Sequence, residues 1–161
     1  MNYLLDTNII IIYSRENKLA KAIEEQYNLF SQENNLYISI VTLGEVDAIV
    51  KKNNIGESKQ NKIKKLLNGI YKIGLEYTEL ISKYGDLDAF SQGKIKVDNI
   101  NFTSRNMGKN DLWIAATASH FNLKLLTTDK DFIHLNNVYL DVEEINIASF
   151  KANNEKPKPI K

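Results

Sequence analysis

Residues 1–13, MNYLLDTNIIIIY, decide the fold. Tyr3-Leu4-Leu5 is a short apolar run that stops at Asp6-Thr7-Asn8, the pattern of a buried strand closing in a turn. Ile9 to Tyr13 then opens a helix. The same alternation repeats outward from this stretch. A helix is predicted from Leu19 to about Gln32, a break at Asn34-Asn35, and a second β-rich run from Leu36 to Ile40. Thr42-Leu43-Gly44-Glu45 has the spacing of a capping box, which predicts a helix from there to about Lys52. From about Glu57 to Lys72, Ile63, Leu66, Leu67 and Ile70 form an apolar stripe at helical spacing among lysines. Ile73 to Tyr77 reads as a short strand and Thr78 to about Ser91 as a helix. Gly93 to Gly108 has no clear periodicity and reads as a loop. Asn110 is placed to cap an apolar helix from Asp111 to Phe121. Leu123 to Thr127 is a strand, Asp129 opens a helical turn, and Val138 to Leu140 is the last expected strand. Short strands alternating with helices imply a parallel α/β sheet covered on both faces.

The bulk numbers bound what such a domain can do. The 161 residues suit one compact domain, expected over 1–147, with a flexible basic tail over 148–161 carrying Pro157 and Pro159. Twenty-one basic against 20 acidic residues leave a formal charge of +1, so no large field advertises a polyanionic partner. There is no cysteine, which excludes disulfides, thiolate metal sites and a cysteine nucleophile. The first residues lack a basic leader and a small-residue cleavage site, and no stretch approaches the roughly 18 apolar residues of a membrane span. These readings predict a cytoplasmic protein with no membrane partner.

In parallel sheets, ligands collect beyond the carboxyl ends of the strands. Four acids fall there. Asp6 and Asp129 follow strands, Glu45 lies one turn into the helix after its strand, and Asp111 opens a helix after a loop. Each has a structural explanation of its own: an Asx turn, the third position of a capping box, or a favourable charge in a first helical turn. Their joint placement is harder to explain that way. Two carboxylates about 4 Å apart repel by roughly 4 kcal/mol at an effective dielectric of 20, so a fold that gathers four needs a cation. Carboxylates without Cys or His favour Mg²⁺ or Mn²⁺ over zinc.

Asp6-Thr7-Asn8, Thr42-x-x-Glu45, Asn110-Asp111-Leu112-Trp113-Ile114-Ala115-Ala116 and Thr127-Thr128-Asp129-Lys130-Asp131-Phe132 resemble the four signature blocks of PIN domains. Their order and spacing are most similar to VapC-type toxins of bacterial toxin–antitoxin systems, over about residues 1–147. The resemblance implies a PIN-like α/β/α sandwich with a central, mostly parallel sheet. It implies that Asp6, Glu45, Asp111 and Asp129 are both the catalytic residues and the metal ligands. It also implies a metal-dependent endoribonuclease, a homodimer, and a cognate antitoxin as partner. The apolar stripe Ile63 to Ile70 is a further reason to expect a dimer.

Asp6 is the expected central ligand, because it leaves the most buried strand, with Asp111 and Asp129 flanking it. Glu45 would bind metal directly or through water, or act as the base that orients water. Thr7 and Asn8 are candidates to orient Asp6. Asp131, Thr127 and Thr128 are candidates for ligand or phosphate contacts, Arg105 and Lys109 for phosphate contacts, and the lysines from Lys51 to Lys65 for RNA or plain solvent. Trp113, Tyr71, Tyr77 and Tyr84 read as core or dimer contacts. His120 and His134 show no ligand spacing. A phosphatase with a nucleophilic aspartate would want a second acid at position 8, which is Asn8. A dinucleotide-binding turn would want glycines there. The remaining alternative is a PIN-like domain that binds RNA or protein without cutting.

Overall fold

β1 (Asn2–Leu5) is the centre of the molecule. In the computed structural model, which describes residues 1–15 and 18–154, it pairs in parallel with β2 (Asn35–Ser39) on one side and β4 (Lys124–Thr127) on the other. β3 (Tyr71–Ile73) and β5 (Asp141–Glu144) complete an all-parallel sheet of order β3-β2-β1-β4-β5. The connecting elements are α1 (Thr7–Ser14), α2 (Lys18–Tyr27), α3 (Ile40–Lys52), α4 (Glu57–Asn68), α5 (Thr78–Ser91), α6 (Lys109–Phe121) and a 3-10 helix, Lys130–Leu135. α7 (Ile147–Asn154) follows β5.

Alternation along the strands builds two cores. Tyr3 and Leu5 of β1, Leu36 and Ile38 of β2 and Leu126 of β4 face one cluster with Ile9, Ile23, Val46 and Ile63. Leu4, Leu125 and Val142 point the other way, against Leu80, Leu87, Phe90 and the α6 residues Leu112 to Ala118. That two-sided burial is why the strands read as continuous apolar runs. It also answers the argument from Ile63 to Ile70. Ile63 and Ile70 are buried in the first core and the half-buried Leu66 and Leu67 pack against it, so this stripe serves the monomer's own core.

Several element boundaries differ from the sequence reading. α2 ends at Tyr27, and Asn28 adopts a left-handed φ of 45°. The capping box does not form. α3 starts earlier, with Ser39 as its N-cap accepting from the Val41 N–H at 3.3 Å, and Thr42 is fully buried inside the helix. Gly108, not Asn110, is the N-cap of α6. α4 stops at Asn68, which frees Tyr71 to Ile73 to form β3. The last strand lies at Asp141–Glu144, and Val138 to Leu140 contributes only a bridge between Asn136 and Leu140. β5 is an edge strand with the sequence Asp-Val-Glu-Glu, held by pairing to β4 and by Lys124 near Asp141 and Glu143, so it carries no apolar signal.

Gly93 to Gly108 is irregular, as expected. The Arg105 N–H donates to the Ser91 carbonyl at 2.8 Å, Phe102 packs on Phe90 and His134, and Met107 is buried. α7 starts at Ile147, runs into the segment read as a tail and buries Phe150 in the first core; residues 155–161, with Pro157 and Pro159, lie outside the described residues. Among the described residues no helix is long and apolar enough to cross a membrane.

Candidate active site

The chain leaves β1 towards β2 and returns on the other side at β4, so the carboxyl ends of β1 and β4 flank the crevice where the strand order reverses. Asp6 is the residue at which β1 becomes α1. Its N–H donates to the Leu126 carbonyl at 3.0 Å. Its side chain caps α1, with Oδ1 accepting from the Thr7 N–H at 2.6 Å and Oδ2 from Thr127 Oγ1 at 2.7 Å. It is 4% exposed. Burial pushes the Asp6 carboxyl up to about 6. The Thr127 and Thr7 hydrogen bonds oppose that shift, and the charges of Glu45 and Asp129 add to it. Desolvation therefore outweighs the helix N-terminus as the dominant influence.

Glu45 projects from α3 with both oxygens engaged. Thr7 Oγ1 donates to Oε2, and Asn110 Nδ2 donates to Oε1 at 2.8 Å. Asp111 sits in the first turn of α6, folded back over Gly108: a Cβ at Gly108 would lie 2.5 Å from Asp111 Oδ2. Its carboxyl is also pushed up to about 6, first by burial and then by the charges of Asp6, Glu45, Asp129 and Asp131. Asp129 caps the 3-10 helix, with Oδ1 accepting from the Asp131 N–H at 2.9 Å, and its own N–H donates to Thr127 Oγ1 at 3.0 Å.

All four acids line one groove of about 690 Å³, together with Thr7, Asn8, Asn110, Lys52 and an apolar wall that includes Val41, Ile49, Leu75 and Trp113. The second-rank candidates divide. Thr127 is fully buried and committed to Asp6 and Asp129, so it organises the acids and cannot reach a phosphate. Asp131 and Arg105 pair with each other at 3.4 Å, and neither lines the groove. Lys109 is exposed at the start of α6, also outside the lining. Trp113 lines the groove with its ring against Tyr84 at 4.5 Å. His134 is buried and bonded to Ser91 Oγ at 2.8 Å, and His120 packs on Tyr77 and Phe121. Asn110 as the partner of Glu45 was not read from the sequence. Its cap-like position concealed the role.

The donor set fits a hard divalent ion. Asp6 and Asp111 are both held above the ordinary carboxylate range by burial and by neighbouring negative charge, the condition a cation relieves. No His or Cys lines the groove. Among the described residues no three Asp, Glu or His side chains lie close enough together to hold a metal ion as they stand. Magnesium tolerates this, since it usually keeps several waters and takes one or two carboxylates.

A family model described as PIN domain matches residues 3–138. The chain belongs to the PIN-domain family. This PIN domain is similar in structure to a chain of VapBC2 from Rickettsia felis, solved bound to a DNA fragment from its promoter. Identity there is 26%, the TM-score is 0.71, and 89% of this chain and 98% of that one are covered. It is also similar to VapBC-1 from nontypeable Haemophilus influenzae, at 27% identity and TM-score 0.63 with the same coverage. VapBC-5 from Mycobacterium tuberculosis, a member of the VapBC family of toxin–antitoxin systems, shares the fold at 18% identity and TM-score 0.59, over 89% of this chain and 98% of that one. No curated protein matches the chain in sequence.

Proposed function

We propose that this PIN domain is a Mg²⁺- or Mn²⁺-dependent endoribonuclease, the toxin of a VapBC-type toxin–antitoxin module, acting in the cytoplasm as a homodimer restrained by a cognate antitoxin. The observation that carries the reading is the groove in which Asp6, Glu45, Asp111 and Asp129 meet at the strand-order reversal of a PIN fold. The similarity to VapBC chains supports the toxin role and the antitoxin partner.

Asp6, Asp111 and Asp129 would hold the ion, with Asp6 central because its two hydrogen bonds and its burial fix its position. When bound, the ion supplies a polarised phosphate and a water of lowered pKa. Glu45 is oriented by Thr7 and Asn110 and keeps its remaining lone pairs to accept a proton from the attacking water. Thr127 bridges Asp6 and the Asp129 backbone, so it sets the spacing of two acids without touching substrate. The engagement of both Glu45 oxygens is what a non-catalytic RNA- or protein-binding domain would have in its favour. Against it, Asp6 and Asp111 are kept in mutual repulsion, from which a scaffold gains nothing.

Brief induction in cells followed by sequencing of RNA 5′ ends tests the proposal. New ends at defined sites with the wild type, and none with Asp6→Asn, are expected. Identical ends with both proteins would remove the nuclease assignment.

A further inference from the structure

We propose that Lys52, at the far end of the α3 face that lines the acid groove, contacts a backbone phosphate of a bound single strand next to the bond to be cut. This rests on the reading of the acids as a ribonuclease centre.

α3 divides into three faces. Leu43, Val46 and Val50 pack into the first core. Asp47 and Lys51 pair with each other at 2.6 Å in solvent. Val41, Gly44, Glu45, Ala48, Ile49 and Lys52 line the acid groove. The two neighbouring lysines thus have different surroundings. Lys51 is neutralised away from the site, whereas Lys52 is exposed in the groove with no hydrogen bond or ion pair among the described residues. Lys52 stands seven residues after Glu45, so it lies on the same face about 10.5 Å further along the axis. Its stem can follow the apolar floor while the ammonium stays in water.

The groove therefore changes character along its length, from carboxylates through an apolar stretch to one unpaired cation. A Cβ built on Gly44 meets nothing within 4 Å, so there is open space beside Glu45. Leu75 and Trp113 add an apolar wall from other elements, and Trp113 is braced by Tyr84. A duplex presents phosphates but keeps its base faces stacked inside, and would leave that wall unused. A single strand can lay a base on the apolar wall and offer the adjoining phosphate to Lys52. An acidic peptide would match Lys52 but has no use for an ion-loaded acid cluster at the other end.

The test uses full-length protein carrying Asp6→Asn, so that RNA is bound but not cut, and a labelled mixed-sequence single-stranded RNA followed by fluorescence anisotropy in Mg²⁺. Adding Lys52→Ala should raise Kd about tenfold and lower the salt slope by about 0.7, the value of one single-strand phosphate contact. Lys52→Arg should recover most of the affinity, and Lys51→Ala should leave Kd and slope unchanged. Gly44→Leu, which fills the open space, should weaken binding without altering the slope. A duplex of the same sequence should compete poorly. Equal effects of Lys51→Ala and Lys52→Ala, or a duplex that binds as well as the single strand, would overturn the proposal. In the otherwise wild-type protein, Lys52→Ala should raise KM and hold kcat. Metal-dependent cleavage indifferent to Lys52 in KM and Kd would sink this inference and leave the nuclease reading standing. Lys52-dependent single-strand binding by a protein that cuts nothing would do the reverse.

Discussion

Replacing Asp6 by Asn should make the metal-free protein more stable while abolishing its chemistry. The Asp6 carboxyl titrates near 3.8 in the unfolded chain and near 6 in the folded one. Between those values the folded state holds the proton more tightly. The stability this provides is full below the unfolded value and is lost as pH rises through about 6. At neutral pH the buried charge thus destabilises the fold by roughly 3 kcal/mol, at ~1.4 kcal/mol per pH unit. Asn removes that charge and remains a good N-cap, its Oδ1 replacing the acceptor for the Thr7 N–H. What it loses is the hydrogen bond that Thr127 Oγ1 donates to Oδ2, about 1 kcal/mol. The net gain is about 2 kcal/mol, or about 4–8 °C in Tm for a chain of this size. Thermal unfolding followed by circular dichroism in chelator measures it. The variant should melt above wild type near neutral pH, and the gap should close as the pH falls towards the unfolded value of Asp6. A variant that melts at or below wild type near neutrality, or a gap independent of pH, would refute the claim that burial of this charge is uncompensated.

Manganese should reverse the order. A bound ion would relieve Asp6 and Asp111 in the wild type, so Tm should climb with Mn²⁺ concentration there and stay flat in Asp6→Asn, as read by differential scanning fluorimetry. Gly108→Ala should leave the fold intact but push the Asp111 carboxylate aside, because the added Cβ meets only the end of that side chain. Cleavage and Mn²⁺ affinity should both fall about tenfold or more, and an unchanged Mn²⁺ titration would show that Asp111 is not a ligand. Thr127→Val leaves the Asp129 N–H and Asp6 Oδ2 without their shared partner. A loss of about 1–3 kcal/mol in urea denaturation is expected, and a neutral result would remove the bridging role.

The sequence was most legible where local chemistry and tertiary placement agree. Asp6 and Asp129 follow apolar strands buried on both faces, so their positions at the strand ends could be read from hydrophobic runs alone. The competing structural explanation of Glu45, the third position of a capping box, does not hold. The Thr42 capping box does not form, and Glu45 reaches the groove because α3 starts at Ile40 and turns positions 41, 44, 45, 48, 49 and 52 to one side. β5 was misplaced because an edge strand with one buried residue, Val142, gives no periodic signal. Arg105 is a phosphate candidate by its nearness to Asp111 in sequence, and that nearness does not report its pairing with Asp131 at 3.4 Å. The distinction between Lys51 and Lys52 was equally hidden in a run of lysines. It follows only from knowing which face of α3 meets the acids.

The most direct test of the four-acid centre is cleavage by purified protein freed of any co-purifying partner. Labelled cellular RNA is incubated with wild type and with Asp6→Asn, Asp111→Asn and Asp129→Asn, in Mn²⁺ or in chelator. The predicted result is discrete cleavage by wild type in Mn²⁺ only, and none by the three variants at equal folded concentration. Cleavage that survives chelator, or that persists in Asp6→Asn, would contradict the assignment of these carboxylates as the metal-dependent centre.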